Sequence, residues 1–185
     1  DLKGAVVRFF TSRLEKALEE DGISYDLADA VVAVAWDDPA DAKARVTALS
    51  SLRATPDFER LVTSQKRVAN ILQGVPEPPE VTELLLEEEA EKSLYEGLRA
   101  IEEQFREAVQ KMEYPKALEI LLSLRDPIDS LFDEVLIMAD AQDLRSNRLG
   151  LLSKVHQLFL EVADFSKIVL EGEKKREEST KRSPK

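Results

Sequence analysis

The 185-residue chain contains no cysteine. That excludes disulfides, thiolate metal sites and a cysteine nucleophile. It has a single histidine, His156, which excludes a multi-histidine metal centre and leaves little for acid–base chemistry near neutral pH. Its six glycines form no glycine-rich phosphate loop. No apolar run approaches the ~18 residues of a membrane-spanning helix. With neither a Met at position 1 nor a signal-peptide pattern, the sequence reads as a piece of something longer.

What is present is a globular composition, 43% apolar and 34% charged, with a net charge of −11. Such a charge argues against a generic nucleic-acid binder, but it is unevenly spread. Residues 80–143 hold 18 acidic and 6 basic groups, whereas residues 144–185 hold 10 basic and 6 acidic ones. A local polyanion-binding surface can therefore coexist with an acidic face that repels polyanions.

Apolar residues recur at three-to-four spacing throughout, which predicts an all-α fold. Leu2, Val6, Phe9, Phe10, Leu14 and Leu18 mark a first helix that Asp21-Gly22 stops. A second apolar stretch runs from Asp26 to Trp36. Asp38-Pro39 and Thr55-Pro56 each place an acceptor at an N-cap and proline at the first helical position. The helix after Thr55 passes Leu61, Val68 and Leu72 and ends at Gly74. Pro76, Pro78 and Pro79 make the clearest linker, because proline cannot donate to a helix ladder. The acidic run Glu87 to Glu89 opens a helix whose face is Leu94, Leu98, Ile101, Phe105, Ala108 and Met112. Tyr114-Pro115 turns the chain, and Asp126-Pro127 kinks or re-caps the next helix. A last helix is expected from about Asp143 to Leu170, with Gly172 ending it. This gives helical residues 1–75, a linker over 76–80, a helical bundle over 81–171 and a charged, disordered tail over 172–185. Trp36 and Phe9, Phe10, Phe105, Phe132 and Phe159 read as core, and Phe58 as a packing residue behind a cap.

Three strings carry a resemblance: Lys66-Arg67-Val68-Ala69-Asn70-Ile71-Leu72; Pro127 to Val135 continuing to Asp143-Leu144-Arg145-Ser146-Asn147-Arg148-Leu149; and Val162-Ala163-Asp164-Phe165-Ser166-Lys167. In this order they resemble the C-terminal end of the β subunit of bacterial-type, two-subunit glycyl-tRNA synthetase, from about Leu2 to Ile168. The resemblance implies that the part after the linker is an all-helical DALR-type anticodon-binding domain. The part before it would join that domain to the body of the subunit. It also implies a role in attaching glycine to its tRNA within an ATP-dependent class II ligase, in the bacterial cytoplasm or the chloroplast. The active site, with ATP and Mg2+, would lie on the alpha subunit of a heterotetramer of two alpha and two beta chains, so no catalytic or metal-binding residue is expected here. The chain's partner would be the anticodon loop of the tRNA for glycine, whose anticodons end in two cytosines.

Unpaired bases are read by stacking and by hydrogen bonds to their edges, and phosphates by Lys and Arg. Arg145 and Arg148, three apart on one helix face, are candidates for a clamp, with Asn147 between them as a base reader. The alternative for both arginines is an ion pair with a nearby aspartate, and for Asn147 a bond to neighbouring backbone. Lys66, Arg67 and Asn70 form a second cluster, equally readable as structural. Lys154 and Lys167 are candidate phosphate contacts, the alternative being that they merely face solvent on a long helix. Tyr114, in a turn, is a candidate stacking ring, and His156 falls on an apolar stripe as a partly buried, satisfied side chain. A non-catalytic protein-docking domain is the alternative function.

Overall fold

The computed structural model describes residues 2–76 and 80–170, with the side chains of residues 2 and 3 left aside. The expected disordered tail, Gly172 as a stop, and Pro78 and Pro79 of the linker lie outside the described residues. Among the described residues the fold is all-α, without a strand. The helices are α1 Leu2–Glu20, α2 Tyr25–Val32, α3 Pro39–Arg53, α4 Pro56–Leu72, α5 Glu89–Gln110, α6 Tyr114–Leu122, α7 Arg125–Glu134 and α8 Gln142–Leu160. Short 3-10 turns occur at Glu83–Leu85 and Phe165–Lys167.

Local chemistry sets most of these boundaries. Asp38 accepts from the N–H groups of Ala40 (2.9 Å) and Asp41 (3.1 Å), capping α3. Thr55 holds the corresponding place before α4, but its hydroxyl donates backwards to the Leu52 carbonyl at 2.7 Å. Gly22 and Gly74 adopt left-handed φ values of 89° and 74° and end α1 and α4. Pro127 lies in the first turn of a separate helix, α7, so four helices follow the linker among the described residues.

One apolar core runs through both sides of the linker. α3 packs on α6, and α4 packs on both α7 and α8. Polar knots reinforce these seams. Arg45 donates from Nε to Asp41 at 2.7 Å and from a terminal nitrogen to the carbonyls of Glu161 and of Val162, the latter at 3.1 Å. Arg53 grips Asp26 through both oxygens (3.0 and 2.6 Å) and donates to the Val169 carbonyl at 2.9 Å. Burial alone would raise the Asp26 carboxyl, but the bonds from Arg53 and the Val169 N–H outweigh it and hold it at about 2.

Several expectations are corrected. α8 stops at Leu160, not near Leu170, because Arg45 takes the carbonyls of Glu161 and Val162 just past its end and the Asp164 N–H is drawn to the Ala30 carbonyl at 2.8 Å. Phe9 and Phe10 are 55% and 53% exposed rather than core, since α1 packs mainly along α2. Trp36 is also partly exposed, beyond the end of α2. Met112 lies past the end of α5 with φ 56° and does not continue that helix's buried face. Phe58, Phe105 and Phe159 are buried as expected.

Candidate nucleic-acid interface

The N-terminal turns of α8 do not form the expected surface clamp. Arg148 is 6% exposed, and its Nε donates to Glu91 at 2.8 Å while a terminal nitrogen donates to the Leu136 carbonyl at 3.0 Å. Glu91, fully buried, closes a capping box at the start of α5, where its other oxygen accepts from the N–H groups of Glu87 (3.0 Å) and Glu88 (2.8 Å). Asn147 is also buried. It pairs with the backbone of Thr82, accepting from its N–H at 2.7 Å and donating to its carbonyl at 3.2 Å. Arg145 is half-buried and reaches the Ala139 carbonyl at 3.4 Å. A guanidinium enclosed with its carboxylate is unavailable to phosphate, so Asn147 and Arg148 hold α8 to α5 and to the segment after the linker.

Tyr114 is likewise corrected. It is buried and donates its hydroxyl to Asp41, beneath the Arg45 guanidinium 4.8 Å from its ring. Burial first, then the bond to Asp41, raises its phenol well above the usual range. Of the second cluster, Arg67 lies on the α4–α7 side, 4.3 Å over the Phe132 ring and in a cleft with Asp129 and Asp133. Lys66 is half-buried, and Asn70 is exposed near the end of α4. Lys167 pairs with Asp29 at 3.1 Å.

The middle of α8 is different. Lys154 and Gln157 are exposed on a ridge with a cleft on each side, as expected from the ~100° between successive helical residues. The cleft between α8 and α5, of about 380 Å3, is lined by Tyr95, Arg99, Arg106, Lys154 and Gln157, with Glu83, Glu102 and Glu161. Glu83 accepts from the Tyr95 hydroxyl at 3.0 Å and from Arg99 at 2.9 Å. Arg106 pairs with Glu102 at 2.7 Å. Lys154 makes no ion pair among the described residues. Sequence spacing alone did not bring Tyr95, Arg99 and Arg106 beside Lys154, because they lie on another helix.

The cleft on the other side, of about 450 Å3, lies between the end of α4, α8 and the turn at Phe165–Lys167. Asn70, Gln73, Ser153, His156, Asp164 and Ser166 face it. Gln65, buried beneath, has its Nε2 2.7 Å from His156 Nδ1. With the amide donating, the imidazole carries its hydrogen on Nε2. Burial lowers the His156 pKa, against a smaller opposing pull from Asp164, which keeps the ring neutral near pH 7.

Among the described residues no group of three or more His, Asp or Glu is gathered to hold a metal ion. No described helix is long and apolar enough to cross a membrane.

The sequence pattern described as the DALR anticodon binding domain matches residues 61–169, beginning inside α4 and running past the linker to the end of the described core. Curated proteins called glycine–tRNA ligase beta subunit are similar over most of the chain. That of Desulforamulus reducens is 37% identical over 166 residues, 90% of this chain and 24% of its own length. That of Acinetobacter baylyi is 41% identical over 168 residues, again 90% of this chain and 24% of its own. That of Geotalea uraniireducens is 38% identical over 165 residues, 89% and 24% respectively. The chain thus spans about a quarter of the length of these relatives.

Proposed function

The chain belongs to the DALR anticodon binding domain family, and from that membership we propose that it holds a tRNA anticodon loop against the exposed ridge of α8. The observation that carries this is the pair of clefts flanking Lys154 and Gln157. One offers Lys154, Arg99 and Arg106 to the RNA backbone and the Tyr95 ring to a base. The other offers neutral hydrogen-bonding groups suited to base edges. Lys154 and Asn70 keep RNA-contacting roles in this assignment. Arg145, Lys66 and Arg67 stay at its margin, and Asn147 and Arg148 support it from within.

Following the named relatives, the domain acts within the beta subunit of a glycine–tRNA ligase. It recognises the tRNA for glycine, while an alpha subunit supplies the active site with ATP and Mg2+ in an assembly of two alpha and two beta chains. The cytoplasm of a bacterium or a chloroplast is the setting. Its contribution is positional: gripping the anticodon fixes where the distant acceptor end can lie. Residues 1–75 join the domain to the rest of the subunit, and the exposed Val6, Phe9 and Phe10 on α1 suit such a contact. That apolar face is what favours the docking alternative, as an added role of the same chain.

The test is a binding titration with a synthetic RNA stem–loop carrying the two adjacent cytosines of a glycine anticodon. Lys154→Glu and Arg106→Glu are each expected to weaken binding about tenfold and to lower the salt slope by about 0.7 per lost phosphate contact. Absence of binding by the intact chain at low salt, or affinity indifferent to both reversals, would contradict the proposal.

A further inference from the structure

At the N-terminal end of α8 three large apolar side chains are turned to solvent. Asn147 holds the Thr82 backbone by two bonds, and two residues further on Leu84 is 93% exposed. Arg148, the next residue of α8, holds the Leu136 carbonyl, and Arg145 reaches that of Ala139. Along this segment burial alternates: Val135, Ile137 and Ala139 are buried, whereas Leu136 and Met138 are 71% and 52% exposed. Extended backbone sends successive side chains to opposite faces in this way. Neighbouring residues of one helix thus fix both segments, so Leu84, Leu136 and Met138 flank the same end of the bundle. Exposed apolar side chains gathered together mark a contact surface. Holding their backbone in place beforehand lowers the ordering cost of binding.

The charges around this patch indicate what covers it. Glu87, Glu88, Glu134, Asp140 and Asp143 are exposed on the same segments and pair with no cation among the described residues. Lys92, in the first turn of α5, is already taken by Glu89 at 2.8 Å. Carboxylates at this density repel phosphates, so neither RNA nor an anionic lipid surface suits the patch. A second copy of the chain would set the same carboxylates against each other. The rest of the same subunit has its contact at α1, which packs on α2, and α2 lies against the turn just past the far end of α8. The 19 residues of α8, about 28 Å, separate the two ends. Resting on the beta-subunit reading above, we infer that Leu84, Leu136 and Met138 dock the alpha subunit, through an apolar socket on it rimmed by Lys and Arg. The apolar side chains supply the anchoring contact, and the carboxylates select the cationic rim and speed the encounter. The anticodon ridge stays open, because Lys154 lies about 14 Å further along the helix than Arg145. One domain then touches both the RNA and the chain that carries out the chemistry.

The experiment uses the full-length beta subunit and its alpha subunit. Amide hydrogen exchange at residues 135–140 of beta is expected to slow when alpha is added. Leu136→Asp and Leu84→Asp should each weaken the alpha–beta association about tenfold, the loss of one anchoring contact. Glu134→Lys combined with Asp140→Lys should lower the association rate about tenfold at low salt, with the difference vanishing at high salt. All four positions are exposed, so each variant should keep the original melting temperature and the original affinity for the RNA stem–loop. If alpha binds beta, yet the variants bind as tightly as the original and exchange at residues 135–140 is unchanged, the docking assignment is overturned and the beta-subunit reading stands. Exchange already slow in beta alone at every concentration would give the patch to the rest of that subunit. Exchange that slows as beta alone is concentrated would give it to a second copy, and either result overturns the assignment. If alpha and beta do not associate at all, the beta-subunit reading falls and this inference with it.

Discussion

Two stretches of α8, about two turns apart, hold similar polar residues in opposite circumstances. At the N-terminal end, Asn147 and Arg148 are buried and fully engaged, with Thr82 and with Glu91 and Leu136. In the middle, Lys154, Gln157 and the outward edge of His156 face open clefts without partners among the described residues. The difference shows that a cation in a suggestive motif is architecture when a carboxylate is already enclosed beside it. Function is better sought where polar groups are left without work. Enclosing a charge costs several kcal/mol unless it is paired, so a buried arginine is evidence of its partner before it is evidence of a ligand.

The largest expected effect breaks the engaged end. Arg148→Met leaves the Glu91 carboxylate buried without its cation and should destabilise the fold by about 3–5 kcal/mol, measured by chemical denaturation. Adding Glu91→Gln, which can still cap α5, should restore much of that loss. A Met variant as stable as the original chain would mean that the pair is not enclosed as described.

A second committed pair sharpens the same contrast. Asp26, gripped by Arg53, has its carboxyl held at about 2, below an ordinary value of 3.8. Its contribution is therefore fully present above about pH 4 and is lost as pH falls toward 2, worth on the order of 2 kcal/mol. Denaturation of the original chain and of Asp26→Asn should differ by about that amount at pH 7, and the gap should close near pH 2. A gap independent of pH would place the effect in packing rather than in the charge.

At the open stretch the expected stability changes are the smallest. Lys154→Glu should leave the melting temperature unchanged while weakening RNA binding, the reverse of Arg148→Met.

The same contrast explains what the sequence could show. The starts of α3 and α4 were legible because the Asp38 cap and the prolines at positions 39 and 56 act within a few residues. The family strings were legible because they lie in order along the chain. The role of Arg148 was hidden because its partner is 57 positions away. That partner was hidden in turn because the box at α5 opens with Glu88, where Ser or Thr is the recognisable signal. The end of α8 was misplaced for a similar reason: Arg45 and Ala30, far upstream, draw the chain out of the helix. Phe9 and Phe10 have helical spacing for a core, but spacing does not reveal that α1 packs mainly along α2. The cleft around His156 takes residues from three elements, and only Asn70 among its polar groups belonged to the expected site.

The most direct test is an amide-resolved NMR titration of the isotopically labelled chain with the cytosine-bearing stem–loop. The shifts are expected to concentrate at residues 70–73, 95–106, 153–157 and 164–166, with little change at residues 145–149. Shifts centred on Arg145 to Leu149, with the middle of α8 silent, would contradict this expectation.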